Sequence, residues 1–288
     1  MQRCLKTSIT ALGAAVAMGG LPIAVAASHP PGSASSLPDL IELQSGNSTY
    51  RADILRFSEH QGWWVDEVDN LFTDLYFLNF GNDLAQRDLR LEDFEFLSFS
   101  QPSADRFTAD FFVLGANLNF SLTSSLQGFE SGSFRSVREE TVTLLNSSRD
   151  PIDISLFKYL DLDLGGVFDN DSVIFADNVL TQFDPSGAIA TLSVDQTPAA
   201  VAMDEYPILL QKFYNQNRTN LSPGNDSLSN TDVAAALQFD HHLAPGESIS
   251  FNFVKQISRR SDSKAVPEPT AFLAFGVVAA GLVLMRRS

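Results

Sequence analysis

Regular alternation of apolar and polar side chains is the feature that most constrains how this chain can fold. In residues 116–123, Ala, Leu and Phe at even positions alternate with Asn, Ser and Thr at odd positions. Residues 152–164, interrupted by Lys158, and residues 233–239 and 248–253 repeat the pattern. Because successive side chains of a strand point to opposite faces, this period of two predicts antiparallel strands with one buried face.

Turn-forming residues separate these segments, and helical patterns are scarce. The turns fall at residues 146–148, 165–166, 184–187 and 244–247. Residues 204–214 predict one short helix. Residues 64–75 also have helical spacing, although Leu75–Phe80 is equally typical of an aromatic strand. We therefore predict an all-β fold, an antiparallel β-sandwich over residues 49–258.

Composition narrows the range of partners. The chain has 35 Asp and Glu against 19 Lys and Arg, a net charge of −16. Such a surface repels phosphate backbones, and no basic stripe with aromatic residues occurs, which argues against nucleic-acid binding. The single cysteine, Cys4, precedes the first apolar segment, so a processed protein would have no disulfide and no thiolate metal site.

The first residues have the pattern of a secretory signal. Arg3 and Lys6 precede an apolar run that ends in Ala24-Val25-Ala26, the small residues that a signal peptidase accepts. We predict a cleavable signal peptide over residues 1–27. The Pro- and Ser-rich stretch that follows predicts a flexible mature N-terminus over residues 28–48.

The last residues, after a linker at 259–265, combine a proline motif, an apolar run and a basic finish. These are Val266, Pro267, Glu268 and Pro269, then a candidate helix over residues 270–285 whose apolar run covers 271–285, then Arg286 and Arg287. Two prolines around one glutamate favour an extended backbone. The apolar run is shorter than the roughly 20 residues of a typical span, so we predict a single short transmembrane helix with the arginines on the cytoplasmic side.

This tail, residues 266–288, resembles the PEP-CTERM sorting signal. The resemblance implies recognition by exosortase, a membrane enzyme, while the precursor sits in the inner membrane. It further implies export to the cell surface or an extracellular, exopolysaccharide matrix. The middle of the chain also resembles the β-sandwich passengers of uncharacterised exported proteins with this tail. The segments that carry the second resemblance are 144–147, 159–164, 232–240 and 243–248.

One group of oxygen-bearing side chains predicts a calcium site. Asp161 and Asp163 share a strand face, and Asp169, Asn170 and Asp171 follow the next turn. Carboxylate and amide oxygens are the ligands that calcium prefers. The EF-hand pattern is not met, because Gly and Ser stand at its fifth and twelfth positions. A solvated turn on an acidic protein is the alternative.

The remaining candidates for chemistry are weaker. His241 and His242 would point to opposite faces of a strand and could not grip one metal together. Trp63 and Trp64 would likewise diverge, with one in the core and the other available to stack on a sugar ring. The chain has no Gly-x-Ser-x-Gly nucleophile elbow, and its many carboxylates single out no catalytic pair.

From these observations we predict a non-enzymatic, exported structural or adhesive component with no catalytic residues and no required cofactor. A calcium- or carbohydrate-binding β-sandwich module is the first alternative. A surface hydrolase is the second.

Overall fold

The computed structural model describes residues 37–55, 61–81, 86–222 and 227–259. The predicted signal peptide and PEP-CTERM tail lie outside these residues, as does the predicted linker apart from Arg259, which is the last residue of a strand. Among the described residues, no helix is long and apolar enough to cross a bilayer. The elements, in chain order, are β1 (Ile41–Ser45), β2 (Ser48–Ala52), β3 (Gly62–Val65), β4 (Val68–Asp69), β5 (Thr73–Phe80), β6 (Leu89–Arg90), β7 (Glu95–Ser103), β8 (Arg106–Val113), β9 (Leu118–Gly128), β10 (Ser136–Asn146), β11 (Ile152–Asp161), β12 (Asp171–Ala176), β13 (Val179–Phe183), β14 (Ala188–Val194), β15 (Ala200–Glu205), α1 (Ile208–Tyr214), β16 (Ser227–Thr231), β17 (Val233–Leu243) and β18 (Ser248–Arg259).

The strands form three sheets in which every pairing is antiparallel. The nine-stranded sheet has the order β16-β12-β13-β14-β18-β10-β9-β8-β7, and the five-stranded sheet has the order β15-β17-β11-β5-β6. Strands β1 to β4 form the third sheet. The inner faces of the two larger sheets contribute to one apolar core, which confirms the predicted all-β antiparallel sandwich.

The centre of the nine-stranded sheet follows directly from the alternating sequence. Leu122 on β9 pairs with Val142 on β10, which pairs with Phe251 on β18. All three side chains are buried in the core, while the residues that flank them along each strand lie on the outer face. Alternation therefore fixes which face of this sheet packs inward.

The five-stranded sheet differs from the prediction, because both of its faces are buried. Its outer face packs against α1, where the rings of Phe77 and Phe213 stack with centroids 4.5 Å apart. Phe157 and Tyr159 on β11 lie in the same outer cluster. The prediction of one buried face is wrong here because a second apolar layer covers the sheet. The sequence of a strand buried on both faces is a nearly continuous apolar run, as it is in the first half of β17.

Three local predictions need correction. The expected helix over 204–214 is confined to Ile208–Tyr214, because residues 204 and 205 pair with β17 at the end of β15. The helical spacing over 64–75 belongs instead to strands β3, β4 and β5. Strand β1 lies within the range 28–48 predicted as flexible. It closes tightly on β9, where a Cβ at Gly128 would lie 1.8 Å from the Ser45 carbonyl oxygen.

Lys158, which interrupts the apolar pattern, belongs to a buried charged cluster between the two larger sheets. The cluster comprises Asp74, Arg138, Glu140, Lys158 and Lys255, and each of these side chains is at most 2% exposed. Lys158 Nζ lies 2.9 Å from Glu140 Oε2, and an Arg138 nitrogen lies 2.6 Å from Asp74 Oδ2.

Hydrogen bonds and burial balance the charge of this cluster. The Tyr76 hydroxyl donates to Glu140 Oε2 over 2.8 Å. Burial, together with the nearby Arg138 and Lys158, lowers the pKa of Lys255 to about 7. When Lys255 is neutral, two cations face two carboxylates, which removes the cost of a surplus buried charge.

Candidate metal centre

Three carboxyl groups converge at one end of the five-stranded sheet. Asp161 is the last residue of β11, Asp163 follows two residues later, and Asp232 directly precedes β17. Strands β11 and β17 are paired with Asp161 opposite Ala234, which brings Asp232 to the same end. One carboxylate oxygen from each residue lies within 4.8 Å of the other two.

Backbone hydrogen bonds hold this end of the sheet in place. The Phe72 N–H donates to the Asp161 carbonyl oxygen, and the Tyr206 N–H donates to the Asp232 carbonyl oxygen, each over 3.1 Å. The rings of Phe72 and Tyr206 meet edge to face with centroids 4.9 Å apart. The backbone positions of two of the three carboxylates are thus set by neighbouring strands rather than by a free loop.

Asp161 is the most constrained of the three. It is 1% exposed, and its Oδ2 accepts a hydrogen bond of 3.3 Å from the Tyr159 hydroxyl. Its Oδ1 has no hydrogen-bond partner among the described residues. A buried carboxylate oxygen without a partner carries a full desolvation penalty, so this atom needs either a proton or a cation.

The raised pKa values of the three carboxyl groups also indicate a site that needs a proton or a cation. Burial, followed by the charges of Asp232 and Asp163, raises the pKa of Asp161 well above its ordinary value. Burial, with the charges of Asp232 and Asp69, raises the pKa of Asp163 to about 6. Burial also raises the pKa of Asp232. Among the described residues, none of the three is in an ion pair with Lys, Arg or His, so no positive side chain offsets their repulsion.

The structure brings together some of the residues predicted for calcium and separates others. Asp161 and Asp163 meet as expected. Asp171, buried at the start of β12, stands near them, and burial together with the charges of Asp184 and Asp163 raises its pKa to about 7 although Gln182 hydrogen-bonds it. Asp169 and Asn170 are exposed, and Asn170 has a φ of +67° at the turn.

The sequence interpretation missed Asp232, which lies far along the chain from Asp161. The available signal was strand pairing: two alternating segments, 152–164 and 233–239, that become neighbours in one sheet. Without the register between them, no spacing rule connects the two carboxylates. The sorting residues Val266 to Pro269, Arg286 and Arg287 lie outside the described residues.

The paired histidines and tryptophans diverge as strand geometry requires. His241 packs edge to face on Phe251, whereas exposed His242 places Nδ1 2.7 Å from an Asp153 oxygen. Trp63 is 1% exposed in the core, and Trp64 is half-buried on the other face of β3.

The donor set of the acidic site suits a hard cation. Three carboxylates can supply three to six oxygens, and calcium takes six to eight oxygens with flexible geometry. Zinc favours the nitrogen and sulfur donors that this cluster does not contain. A divalent cation here would offset the mutual repulsion of the three groups and give the unpartnered Asp161 Oδ1 a partner.

Comparison with known proteins identifies no family. No family model matches the chain, and no curated protein matches it. Among solved structures, similarity extends to a bacterial glucoamylase complexed with acarbose, at 9% identity over 79% of this chain and 31% of that one, with a TM-score of 0.48. A protein assigned as a kojibiose phosphorylase, from the human microbiome, has 10% identity over 84% of this chain and 33% of that one, with a TM-score of 0.48. A protein assigned as an aldose 1-epimerase, from Escherichia coli K12, has 11% identity over 76% of this chain and 99% of that one, with a TM-score of 0.47.

These comparisons overturn two predictions from the sequence. We expected a non-enzymatic chain and a structural or adhesive component, yet the solved structures that resemble it bear the names of enzymes. Both predictions are withdrawn. The chain spans about a third of the length of the first two structures. At these identities and TM-scores no activity is transferred to this chain.

Proposed function

We propose that this domain binds a calcium ion through Asp161, Asp163 and Asp232. The observation that carries the proposal is the buried Asp161 carboxylate, whose Oδ1 has no hydrogen-bond partner among the described residues while two further carboxylates stand within 4.8 Å. Repulsion among the three groups is relieved when a divalent cation occupies the space between them.

Calcium would join three segments of the fold. Asp161 ends β11, Asp163 begins the connection to β12, and Asp232 leads into β17. A cation bound to all three fixes that connection onto the sheet. Since calcium binds the native state and not the unfolded chain, it raises the apparent stability of the protein.

Thermal melting tests this proposal. The purified protein is melted in EDTA and in millimolar calcium chloride, together with Asp163→Asn and with Asp150→Asn as the matched control. Asp150 is exposed in the turn between β10 and β11, away from the site. We expect calcium to raise the melting temperature of the wild type and of Asp150→Asn, and to have little effect on Asp163→Asn. Equal melting in EDTA and calcium for the wild type would refute calcium binding.

We also propose that the chain is exported and sorted by exosortase through its tail, from an inner-membrane precursor to the cell surface or extracellular matrix. The support is the order of the Val266–Pro269 motif, the apolar run and the two arginines. Replacing Glu268 with Ala should leave the precursor in the inner membrane. The intact mass of the exported protein provides the second measurement, since a mass that retains Arg286 and Arg287 would make the tail an uncleaved anchor.

Acid–base catalysis by the same carboxyls is a second candidate function. The favouring observation is that half-buried Asp163, with a pKa of about 6, stands beside two other carboxyls, so that protonated and ionised groups coexist near neutral pH. Glycoside hydrolysis uses such a pair. Release of nitrophenol from nitrophenyl glycosides in EDTA, lost in Asp163→Asn, would support catalysis. Absence of turnover with and without calcium would exclude it for these substrates.

A further inference from the structure

A polar groove with an aromatic floor lies on the four-stranded sheet, apart from the acidic site. The turn at Gly46 and Asn47, the turn at Asp66 and Glu67, and the loop around Ser131 border it. The groove has a volume of about 510 Å³. That size accommodates a small-molecule ligand or a few sugar units.

Trp64 is held in this groove by the backbone beneath it. Its six-membered ring lies directly against Gly62, where an added Cβ would fall 2.1 Å from a ring carbon. The neighbouring Trp63 points into the core and donates from Nε1 to Ser136 Oγ over 3.0 Å. The sheet therefore fixes the Trp64 ring in one orientation, although that ring is only half-buried and adds nothing to the core.

Hydrogen-bonding groups surround the ring on the same face. Thr49 on β2 is the direct cross-strand partner of Trp64, and Arg51 is the partner of Gly62, so both side chains share its face. The Arg51 guanidinium lies 5.3 Å from the centroid of the Trp64 ring. Its ion pair with Glu42 is exposed, so the side chain can move at little cost when a ligand enters.

A carboxylate at the border of the groove is held rigidly. Asp66 accepts hydrogen bonds from the N–H groups of Gly132 and Phe134 over 2.6 and 2.7 Å, and from Asn47 Nδ2 over 2.8 Å. Asp66 and Glu67 both have positive φ, at 48° and 69°, in a two-residue turn where Gly and Asn are usual. The loop around residue 132 thus fixes the position of this carboxylate relative to the ring.

We propose that this groove binds a neutral glycan, with one hexopyranose stacked on Trp64. The C–H face of a pyranose is apolar and matches a fixed aromatic ring, while its equatorial hydroxyls need donors and acceptors around the rim. Thr49, Arg51 and Asp66 supply these groups. The combination of an immobilised ring and rim hydrogen bonds favours a sugar over an apolar ligand. This inference does not depend on the calcium site.

Tryptophan fluorescence tests the proposal directly, since Trp63 and Trp64 are the chain's two tryptophans and only Trp64 faces the groove. The full protein is titrated with cellohexaose, maltohexaose and laminarihexaose. We expect at least one of them to shift or quench the emission with saturation. Affinity should fall about tenfold or more in Trp64→Ala, and should be largely kept in Trp64→Phe.

Two further variants separate recognition from folding. Thr49→Val keeps the side-chain shape and removes the hydroxyl, so it should weaken binding without changing the circular dichroism spectrum. Phe183→Ala removes an exposed aromatic ring from β13 and should bind as the wild type does. Failure of all three oligosaccharides to bind the wild type would overturn the proposal, as would unchanged calorimetric affinity in Trp64→Ala.

Discussion

Replacing Glu140 with Gln should lower the unfolding free energy of the sandwich far more than the same change at an exposed glutamate. Glu140 contacts Arg138, Lys158 and Lys255 and accepts a hydrogen bond from Tyr76. The substitution keeps the shape but leaves Arg138 and Lys158, and Lys255 whenever it is protonated, facing Asp74 as the single carboxylate of the cluster. Breaking a buried ion pair in this way costs about 3–5 kcal/mol of unfolding free energy, because the uncompensated charge stays buried.

Equilibrium unfolding in urea, followed by circular dichroism, measures that cost. Glu139→Gln is the matched control, since Glu139 is the preceding residue on β10 and is exposed on the outer face. We expect the control to stay within about 0.5 kcal/mol of the wild type. A Glu140→Gln variant as stable as the control would contradict the buried cluster, and with it the inward orientation of Lys158.

Three further predictions follow from the fold and the acidic site. Lys255→Met should cost less unfolding free energy in urea than Glu140→Gln, because the pKa of Lys255 is about 7 and its neutral form is already accessible; an equal or larger loss would contradict this. Phe213→Ala should lower stability by about 3–5 kcal/mol, because it empties the stacking position on Phe77 beneath α1, and a loss under about 1 kcal/mol would mean that α1 does not cover the sheet. In EDTA, the melting temperature should fall from about pH 4 to about pH 7. The pKa values of Asp163 and Asp171 are raised in the folded protein to about 6 and about 7. The stabilisation from their protonated forms is therefore complete below the pKa values of the unfolded chain, and it is lost as pH rises through the pKa values of the folded protein. Saturating calcium should remove that fall, and a melting temperature that rises steadily over this range in EDTA would contradict it.

The alternating segments predicted the sandwich because they report directly on a one-sided strand. Residues 116–123 became part of β9 and residues 248–253 part of β18, each with its apolar face inward. Pattern alone did not reveal that β11 and β17 are covered on both faces. Two-sided burial depends on α1 and the chain around Leu221, which lie outside both strands and some 50 residues or more beyond β11.

The roles of charged residues within apolar segments were harder to predict from the sequence. Lys158 looked like an interruption of a strand face, because its partners Asp74 and Glu140 lie on two other strands. Two of the three residues of the acidic site, Asp161 and Asp163, were visible as a local pair in the sequence. Its third member, Asp232, required the register between β11 and β17, which no local spacing encodes.

Calorimetric titration of calcium into the protein and its Asp232→Asn variant tests the account most directly, because Asp232 enters the site only through the tertiary fold. We predict a saturable heat with about one calcium per chain for the wild type and for Asp150→Asn, and at least about tenfold weaker binding for Asp232→Asn. Absence of binding to the wild type, or equal affinity in Asp232→Asn, would contradict the calcium centre.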